Sequence, residues 1–192
     1  MEMGTGKTKV CIDNIAILYD KGKINAALIV VPNGIKRNWR NELGIHLADH
    51  INYRVGIWSA SPKKKEKDEL DQLSVMTDEL TVLVMNIEAL STVRGRDFAK
   101  SFLTRNNTLM CVDESTTIKN HSAARTKNII KIAELAKYRR IMTGSPVTKS
   151  PLDLFSQVQF LDPWLLEQQS YYGFRARYAV IVQRSVGTHS FQ

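Results

Sequence analysis

The 192-residue chain has little of several features that would assign it to a specialised class of protein. It has only two cysteines, far apart in the sequence, so a disulfide framework is excluded. No apolar run approaches the roughly 20 residues of a membrane-spanning helix, and the first residues do not resemble a signal peptide. Internal repeats and low-complexity tracts are absent too. We therefore expect a reducing, intracellular compartment and no membrane partner, with Cys11 and Cys111 as buried free thiols.

The composition is that of an ordinary globular protein with a basic charge balance. Hydrophobic residues make up 43% and charged residues 24%, which suits one domain with a small appendage. Its 27 basic and 19 acidic residues leave a net charge of +8, and a basic surface favours a polyanionic partner. The densest basic run, 63–67, contains no aromatic residue, so we interpret it as a solvated loop or helix start.

Short apolar runs alternate with segments of helical periodicity. The predicted strands are 26–31, 53–58, 81–85, 109–112 and 140–143. The predicted helices cover 13–18, a segment with apolar residues every fourth position from Ile35 to Leu47, 63–73, 123–136 and 151–161. This alternation predicts an α/β fold, with a mostly parallel sheet covered by helices on both faces.

The first eight residues contain most of a phosphate-binding loop. A loop of the form G-x-x-x-x-G-K-[ST] places its lysine and hydroxyl residue directly after the last glycine, as in Gly6-Lys7-Thr8, although Met1 occupies the leading glycine position. Glycines let backbone N–H groups close around a phosphate, the lysine reaches the β- and γ-phosphates, and the threonine ligates Mg²⁺. The candidate phosphate-binding residues are Gly4, Thr5, Gly6, Lys7 and Thr8.

Polar residues follow two of the later predicted strands. Asp113 and Glu114 end an apolar run, which places both carboxylates at the carboxyl end of a buried strand, where ligands bind in open α/β sheets. In an enzyme with a phosphate-binding loop, the first carboxylate holds Mg²⁺, usually through water, and the second orients and deprotonates the attacking water. Thr143, Gly144 and Ser145 follow the last strand in the same way.

The order of these motifs resembles the first motor lobe of superfamily two helicases, and above all the Swi/Snf-like branch of double-strand DNA translocases. Residues 2–8 are similar to motif I, and residues 28–32 with Trp39 and Glu42 are similar to motif Ia and its helix. Residues 113–116, followed by 118–120, are similar to motif II and the segment after it. Residues 143–146 are similar to motif III, and 154–161 with 174–178 are similar to the segment that follows motif III.

The resemblance implies a RecA-like fold and an ATPase that uses Mg²⁺ and moves along DNA, duplex rather than single-stranded. Lys7 and Glu114 would be catalytic, and Thr8 and Asp113 would hold the metal. The residues implied in coupling the nucleotide site to DNA are Thr143, Gly144 and Ser145, and those implied in DNA contact are Asn33, Lys36, Arg37, Lys119 and Asn120. The DNA candidates read equally well as a helix cap, solvated cations and loop residues.

The chain departs from the family pattern at three places. Motif II commonly ends in histidine, whereas Thr116 stands there. The strand that feeds the phosphate-binding loop, the adenine-reading segment and the second motor lobe do not occur in this sequence. We therefore expect a RecA-like lobe over 1–150 without its first strand and a helical, aromatic-rich extension over 151–192 that leads toward the absent second lobe. We also expect weak ATP hydrolysis by this chain alone. The resemblance implies the cytoplasm of a bacterium or an infected host, or a eukaryotic nucleus.

Three alternatives stay open. A degenerate lobe could serve as a non-catalytic module that binds nucleic acid or a protein partner, and a P-loop kinase or another transferase would share the first motif. His46 and His50, with Asp49, have the spacing of metal ligands on one helix face, although two surface histidines explain them better.

Overall fold

A computed structural model describes residues 5–75 and 77–180, together with the backbone of 184–186 and 189–191. Its centre is a parallel sheet of five strands in the order β2-β3-β1-β4-β5. The strands are β1 (Ala26–Val31), β2 (Tyr53–Ile57), β3 (Leu80–Asn86), β4 (Thr108–Asp113) and β5 (Tyr138–Met142), and a short antiparallel pair, β6 (Arg184–Val186) and β7 (His189–Phe191), lies apart from this sheet. All five predicted strands of the main sheet are confirmed.

Helices cover both faces of the sheet, as predicted. They are α1 (Lys7–Asp20), α2 (Lys36–His46), α3 (Lys64–Gln72), α4 (Val93–Arg105), α5 (Ala124–Ala133), α6 (Leu154–Leu161) and α7 (Tyr171–Tyr178), and 3₁₀ helices span Asn33–Ile35, Ile87–Ser91, Ser115–Ile118 and Pro151–Asp153. None of the described helices is both long and apolar enough to cross a membrane.

The alternation of side chains along the central strands produces two hydrophobic cores. Ile29 of β1 faces the core that contains Ile12 of α1 and Trp39 of α2. Leu28, its neighbour, faces the opposite core, which contains Phe102 of α4 and Ile129 of α5. Because the inner strands β1, β3 and β4 are buried on both faces, their sequences read as continuous apolar runs.

Helix α4 is an element that the sequence patterns did not predict. Thr92 caps it, since its Oγ1 accepts the N–H of Gly95 at 3.1 Å. Phe102 and Leu103 are fully buried, but a glycine in the first turn and charged residues around it obscure the helical periodicity.

The residues after β5 pack against the helices and strands that precede them. Phe160 of α6 is fully buried in the core that contains Phe102. Phe174 of α7 is 3% exposed and the Tyr171 ring stacks on His121 with centroids 3.5 Å apart, whereas Tyr172 is 74% exposed. The proposed boundary near residue 150 stays a prediction.

Candidate nucleotide site at the carboxyl edge of the sheet

Helix α1 begins directly after a glycine whose backbone is left-handed. Gly6 has φ +80°, a backbone conformation that residues other than glycine rarely adopt. Its carbonyl oxygen accepts the N–H of Val10 at 3.0 Å. Lys7 and Thr8 follow in the first turn, and the N-terminus of a helix favours an anion. Thr5 is exposed beside this turn, and Gly4 lies outside the described residues.

Asp113 ends β4 with a buried and oriented carboxylate. It is 8% exposed, and its Oδ2 accepts the indole N–H of Trp39 at 2.9 Å. Its Oδ1 accepts the backbone N–H of Glu114 at 3.0 Å. A carboxylate oxygen has two lone pairs, so each oxygen retains one acceptor position. The predicted placement of Asp113 at the end of a buried strand is therefore confirmed, whereas its role as a metal ligand stays a prediction.

Glu114 turns the chain sharply at the end of β4. Its φ of +51° lies in the left-handed region, which is uncommon for a residue with a side chain. Such strain persists where the surrounding structure fixes it, and it concentrates at functional sites. The 3₁₀ helix Ser115–Ile118 begins directly afterwards and contains the half-buried Thr116. The left-handed backbone of Glu114 thus ends β4 directly after Asp113.

The sheet register and one cavity bring the three motifs to the same edge. Asp113 pairs in register with Met142, so Thr143 follows at the neighbouring strand end. Lys7 and Thr143 both line a cavity of about 520 Å³ between α1 and β5. One turn after Lys7, the Cys11 side chain is hydrogen-bonded to Cys111 of β4.

The two cysteines are buried free thiols, as predicted. The hydrogen bond to Cys11 and the burial of Cys111 raise the pKa of the Cys111 thiol well above its usual value. Both side chains therefore act as small apolar groups in the contact between α1 and β4.

Gln157 of α6 is a residue that the sequence analysis missed, and it connects two of the motif segments. Its Oε1 accepts the hydroxyl of Ser115 at 2.6 Å, and its Nε2 donates to the carbonyl oxygens of Pro146 and Asp153 at 2.7 and 2.8 Å. Gln157 and Ser115 are both fully buried. The sequence did contain one signal: an amide side chain on the buried side of an apolar helix needs polar partners.

Asp153 organises the loop that follows the Thr143-Gly144-Ser145 segment. Its Oδ2 accepts the backbone N–H groups of Thr148 and Lys149 and the Thr148 hydroxyl, all within 2.9 Å. Burial raises the pKa of Asp153, but these donors and the charge of Lys119 outweigh it and bring the pKa to about 2. Within the segment itself, Thr143 Oγ1 accepts the N–H of Ser145 at 3.2 Å.

The candidate DNA-contacting residues have different environments. Asn33 and Arg37 are exposed just after β1. Lys36 points inward, since its Nζ donates to Trp58 O at 3.1 Å and Asn86 Oδ1 at 3.4 Å, and burial lowers its pKa.

The other two candidates also make contacts within the chain. Lys119 donates to Thr148 Oγ1 at 2.5 Å. Asn120 Oδ1 accepts the N–H and the hydroxyl of Ser122. Of the five candidates, Arg37 therefore presents a cation on an exposed helix surface, whereas the amino groups of Lys36 and Lys119 are held by internal acceptors.

The two histidines considered as metal ligands contact different carboxylates. His46 Nε2 lies 3.3 Å from Glu42, and His50 Nε2 lies 3.0 Å from Asp20. Over the described residues, no group of three or more histidine, cysteine or carboxylate side chains has the arrangement of a metal site. Two separate surface pairs account for these histidines.

Three comparisons with known proteins bear on this arrangement. The family model of the SNF2-related domain matches residues 1–182. The chain is 30% identical over 164 residues to the zebrafish (Danio rerio) SWI/SNF-related matrix-associated actin-dependent regulator of chromatin subfamily A containing DEAD/H box 1A, covering 84% of this chain and 16% of that protein. It is 28% identical to human DNA repair and recombination protein RAD54B, covering 89% of this chain and 18% of the relative. The chain therefore spans less than a fifth of the length of these relatives.

Among solved structures, the Sulfolobus solfataricus SWI2/SNF2 ATPase core in complex with double-stranded DNA is similar in fold. Its TM-score is 0.66 at 23% identity, and the match covers 93% of this chain and 33% of that one. This likeness confirms the predicted RecA-like α/β fold class. With the match of the family model over nearly the whole sequence, it leads to one conclusion: the chain belongs to the SNF2-related domain family.

Proposed function

We propose that this chain is the ATP-binding lobe of a DNA-dependent ATPase of the helicase or double-strand DNA translocase type. The observation that carries the proposal is the carboxyl edge of the sheet, where Lys7 follows a left-handed glycine and shares an edge with Asp113 and Thr143. Relatives described as a helicase and as a DNA repair protein, and a fold neighbour solved with duplex DNA, support DNA as the polymer.

The residues at this edge fit a magnesium nucleotide. Asp113 retains one acceptor position on each oxygen and stands at the strand end, so it would hold Mg²⁺ together with the Thr8 hydroxyl. The metal would supply charge neutralisation for the phosphates. Lys7 binds the phosphate oxygens, and the strained Glu114 orients the attacking water and accepts its proton.

The residues between the sheet edge and DNA have a coupling role in this proposal. Thr143, Gly144 and Ser145 follow β5 beside the nucleotide site, and Gln157 links that loop to Ser115 behind Glu114. A shift at one segment is therefore transmitted to the other through a buried amide. A second motor lobe would supply further cationic groups, because catalysis of phosphoryl transfer consists mainly of positioning and charge stabilisation. Hydrolysis by this chain alone should therefore be weak.

Titration calorimetry with Mg-ATP tests the nucleotide site. Lys7→Ala should weaken binding at least about tenfold, because it removes a charge-assisted hydrogen bond. Lys9→Ala is the matched control: Lys9 lies on the same helix but pairs with Asp13 at 2.6 Å, so binding should not change. Glu114→Gln should retain binding and abolish turnover.

Two results would contradict parts of this proposal. Absence of Mg-ATP binding in both the wild type and Glu114→Gln would favour a non-catalytic module on the same fold. Rapid DNA-stimulated turnover by the wild-type chain, lost in Lys7→Ala, would contradict the need for a second lobe.

A further inference from the structure

A buried tryptophan holds the carboxylate that is the candidate metal ligand. Trp39 is 1% exposed, and its indole N–H donates to Asp113 Oδ2 at 2.9 Å. An indole has one donor and no acceptor, so this bond satisfies its whole hydrogen-bonding capacity. Because the other oxygen of Asp113 accepts the backbone N–H of Glu114, a donor holds each oxygen and the orientation of the carboxylate is fixed.

Trp39 also belongs to the core beneath the candidate phosphate-binding residues. The cluster of buried residues that contains it includes Cys11 and Ile12 of α1 and Cys111 of β4. Helix α1 begins at Lys7 and packs against α2. The indole therefore lies among the elements that carry the candidate phosphate and metal ligands.

The helix that carries Trp39 also carries an exposed cation. Arg37 lies two residues earlier in α2, and a step of two residues turns by about 200° around a helix. Arg37 is accordingly exposed whereas Trp39 is buried. A phosphate bound by Arg37 therefore acts on the same helical turn that holds Asp113.

The packing of α2 makes this turn move as a unit with its surroundings. Leu43, one turn after Trp39, is fully buried in the same core. Between them, Arg40 donates to the carbonyl oxygen of Val55 and pairs with Glu69 of α3. Closely packed interiors transmit a displacement rather than absorb it, so a restraint on the start of α2 reaches the indole.

We propose that Trp39 is a positioning residue that couples duplex contact at the start of α2 to the carboxylate of Asp113. This role rests on the proposed function, since it requires a magnesium nucleotide at Asp113 and a phosphate backbone at Arg37. Duplex contact holds the turn, the indole holds the carboxylate, and less ordering remains to be done when the metal nucleotide binds. Each ligand then strengthens the binding of the other by the same factor. The route crosses the core on the α1 face of the sheet, whereas Gln157 belongs to α6, which packs on the other face.

Trp39→Phe tests the positioning role, because it keeps an aromatic ring in the core and removes the N–H. Titration calorimetry should show Mg-ATP binding weakened at least about tenfold, as expected for losing a hydrogen bond to a charged group. ATP in excess EDTA should bind the wild type and the variant equally, because Lys7 and not the metal then holds the phosphates. A merely structural role would weaken both ligands.

Trp58→Phe is the matched control. Trp58 is 5% exposed and lies in the opposite core, so its replacement should leave both affinities unchanged. Equal weakening of Mg-ATP and metal-free ATP in Trp39→Phe, or no weakening of either, would overturn the proposal.

Fluorescence anisotropy with a labelled blunt duplex measures the coupling. Glu114→Gln serves as the background, so that the nucleotide stays intact. Saturating Mg-ATP should raise the duplex affinity at least about fivefold. Adding Trp39→Phe should abolish this increase, and adding Trp58→Phe should preserve it. Arg37→Ala, at an exposed position that does not endanger folding, should abolish it as well.

Failure of the coupling differs from failure of the proposed function. Binding of Mg-ATP and duplex without mutual strengthening, or an increase that survives Trp39→Phe, would overturn the role of Trp39 alone. A wild-type chain that binds neither ligand would overturn the proposed function, and the role of Trp39 with it.

Discussion

Gln157 links two motif segments through one buried amide. Its fully buried partner, Ser115, directly follows the Asp113-Glu114 pair. Replacing Gln157 with leucine keeps the volume but leaves the Ser115 hydroxyl without an acceptor. We expect Gln157→Leu to lower the free energy of unfolding by about 1–3 kcal/mol, the usual cost of an unsatisfied buried polar group. Urea denaturation measures the difference.

Gln159 provides the control on the same helix. It is half-buried and donates to the carbonyl oxygens of Pro163 and Gln168, which can turn to water when the amide is lost. Gln159→Leu should change the free energy of unfolding by less than about 0.5 kcal/mol. Equal losses in the two variants would mean that the bond from Ser115 to Gln157 contributes nothing specific.

Helix α4 depends on a glycine for its position rather than for its backbone conformation. A Cβ on Gly95 would lie 2.3 Å from the carbonyl oxygen of Ala89, so the helix would have to move away from the preceding 3₁₀ helix. Although alanine favours helices, we expect Gly95→Ala to destabilise the protein by about 1–3 kcal/mol in urea denaturation, because the added methyl overpacks this contact.

Gly44, within α2, provides the control that distinguishes the effect of packing from the effect of helix propensity. A Cβ there would lie 3.6 Å from the Tyr53 hydroxyl oxygen, an ordinary contact. Gly44→Ala should therefore stabilise the protein by about 0.5–1 kcal/mol, through propensity alone. If both substitutions were stabilising, the close approach of α4 to Ala89 would be refuted.

The contrast between these elements shows what the sequence could predict. The inner strands were predictable because burial on both faces leaves continuous apolar runs such as 26–31. The strand-end position of Asp113 followed from the same logic. Helix α4 was not predictable, because Gly95 and its charged neighbours hide the helical periodicity. The reason for a glycine there is its close approach to Ala89, which the local sequence pattern does not show. Gln157 was not predicted for the same reason, since two of its partners, Ser115 and Pro146, lie 42 and 11 residues away along the chain.

At the scale of the whole molecule, the net charge of +8 indicates affinity for a polyanion but does not identify the contact surface. Hydrogen bonds within the chain reduce the number of candidate DNA-contacting cations. Lys36 and Lys119 donate to internal acceptors, whereas Arg37 is exposed beside Asn33 where β1 ends. Phosphate contacts position DNA without reading its sequence. The proposed function therefore predicts that Arg37→Ala weakens the affinity for every duplex by the same factor.

Measuring duplex affinity against salt concentration tests this surface. Each phosphate contact contributes about 0.9 to the slope of log K against log salt, so Arg37→Ala should reduce the slope by about that amount on any duplex sequence. Arg40→Ala is the control on the same helix, because Arg40 is paired with Glu69 at 2.5 Å and its charge is already compensated. Its slope should match that of the wild type. A reduced slope in Arg40→Ala but not in Arg37→Ala would move the DNA path away from the exposed start of α2 and toward the α3 side of the sheet.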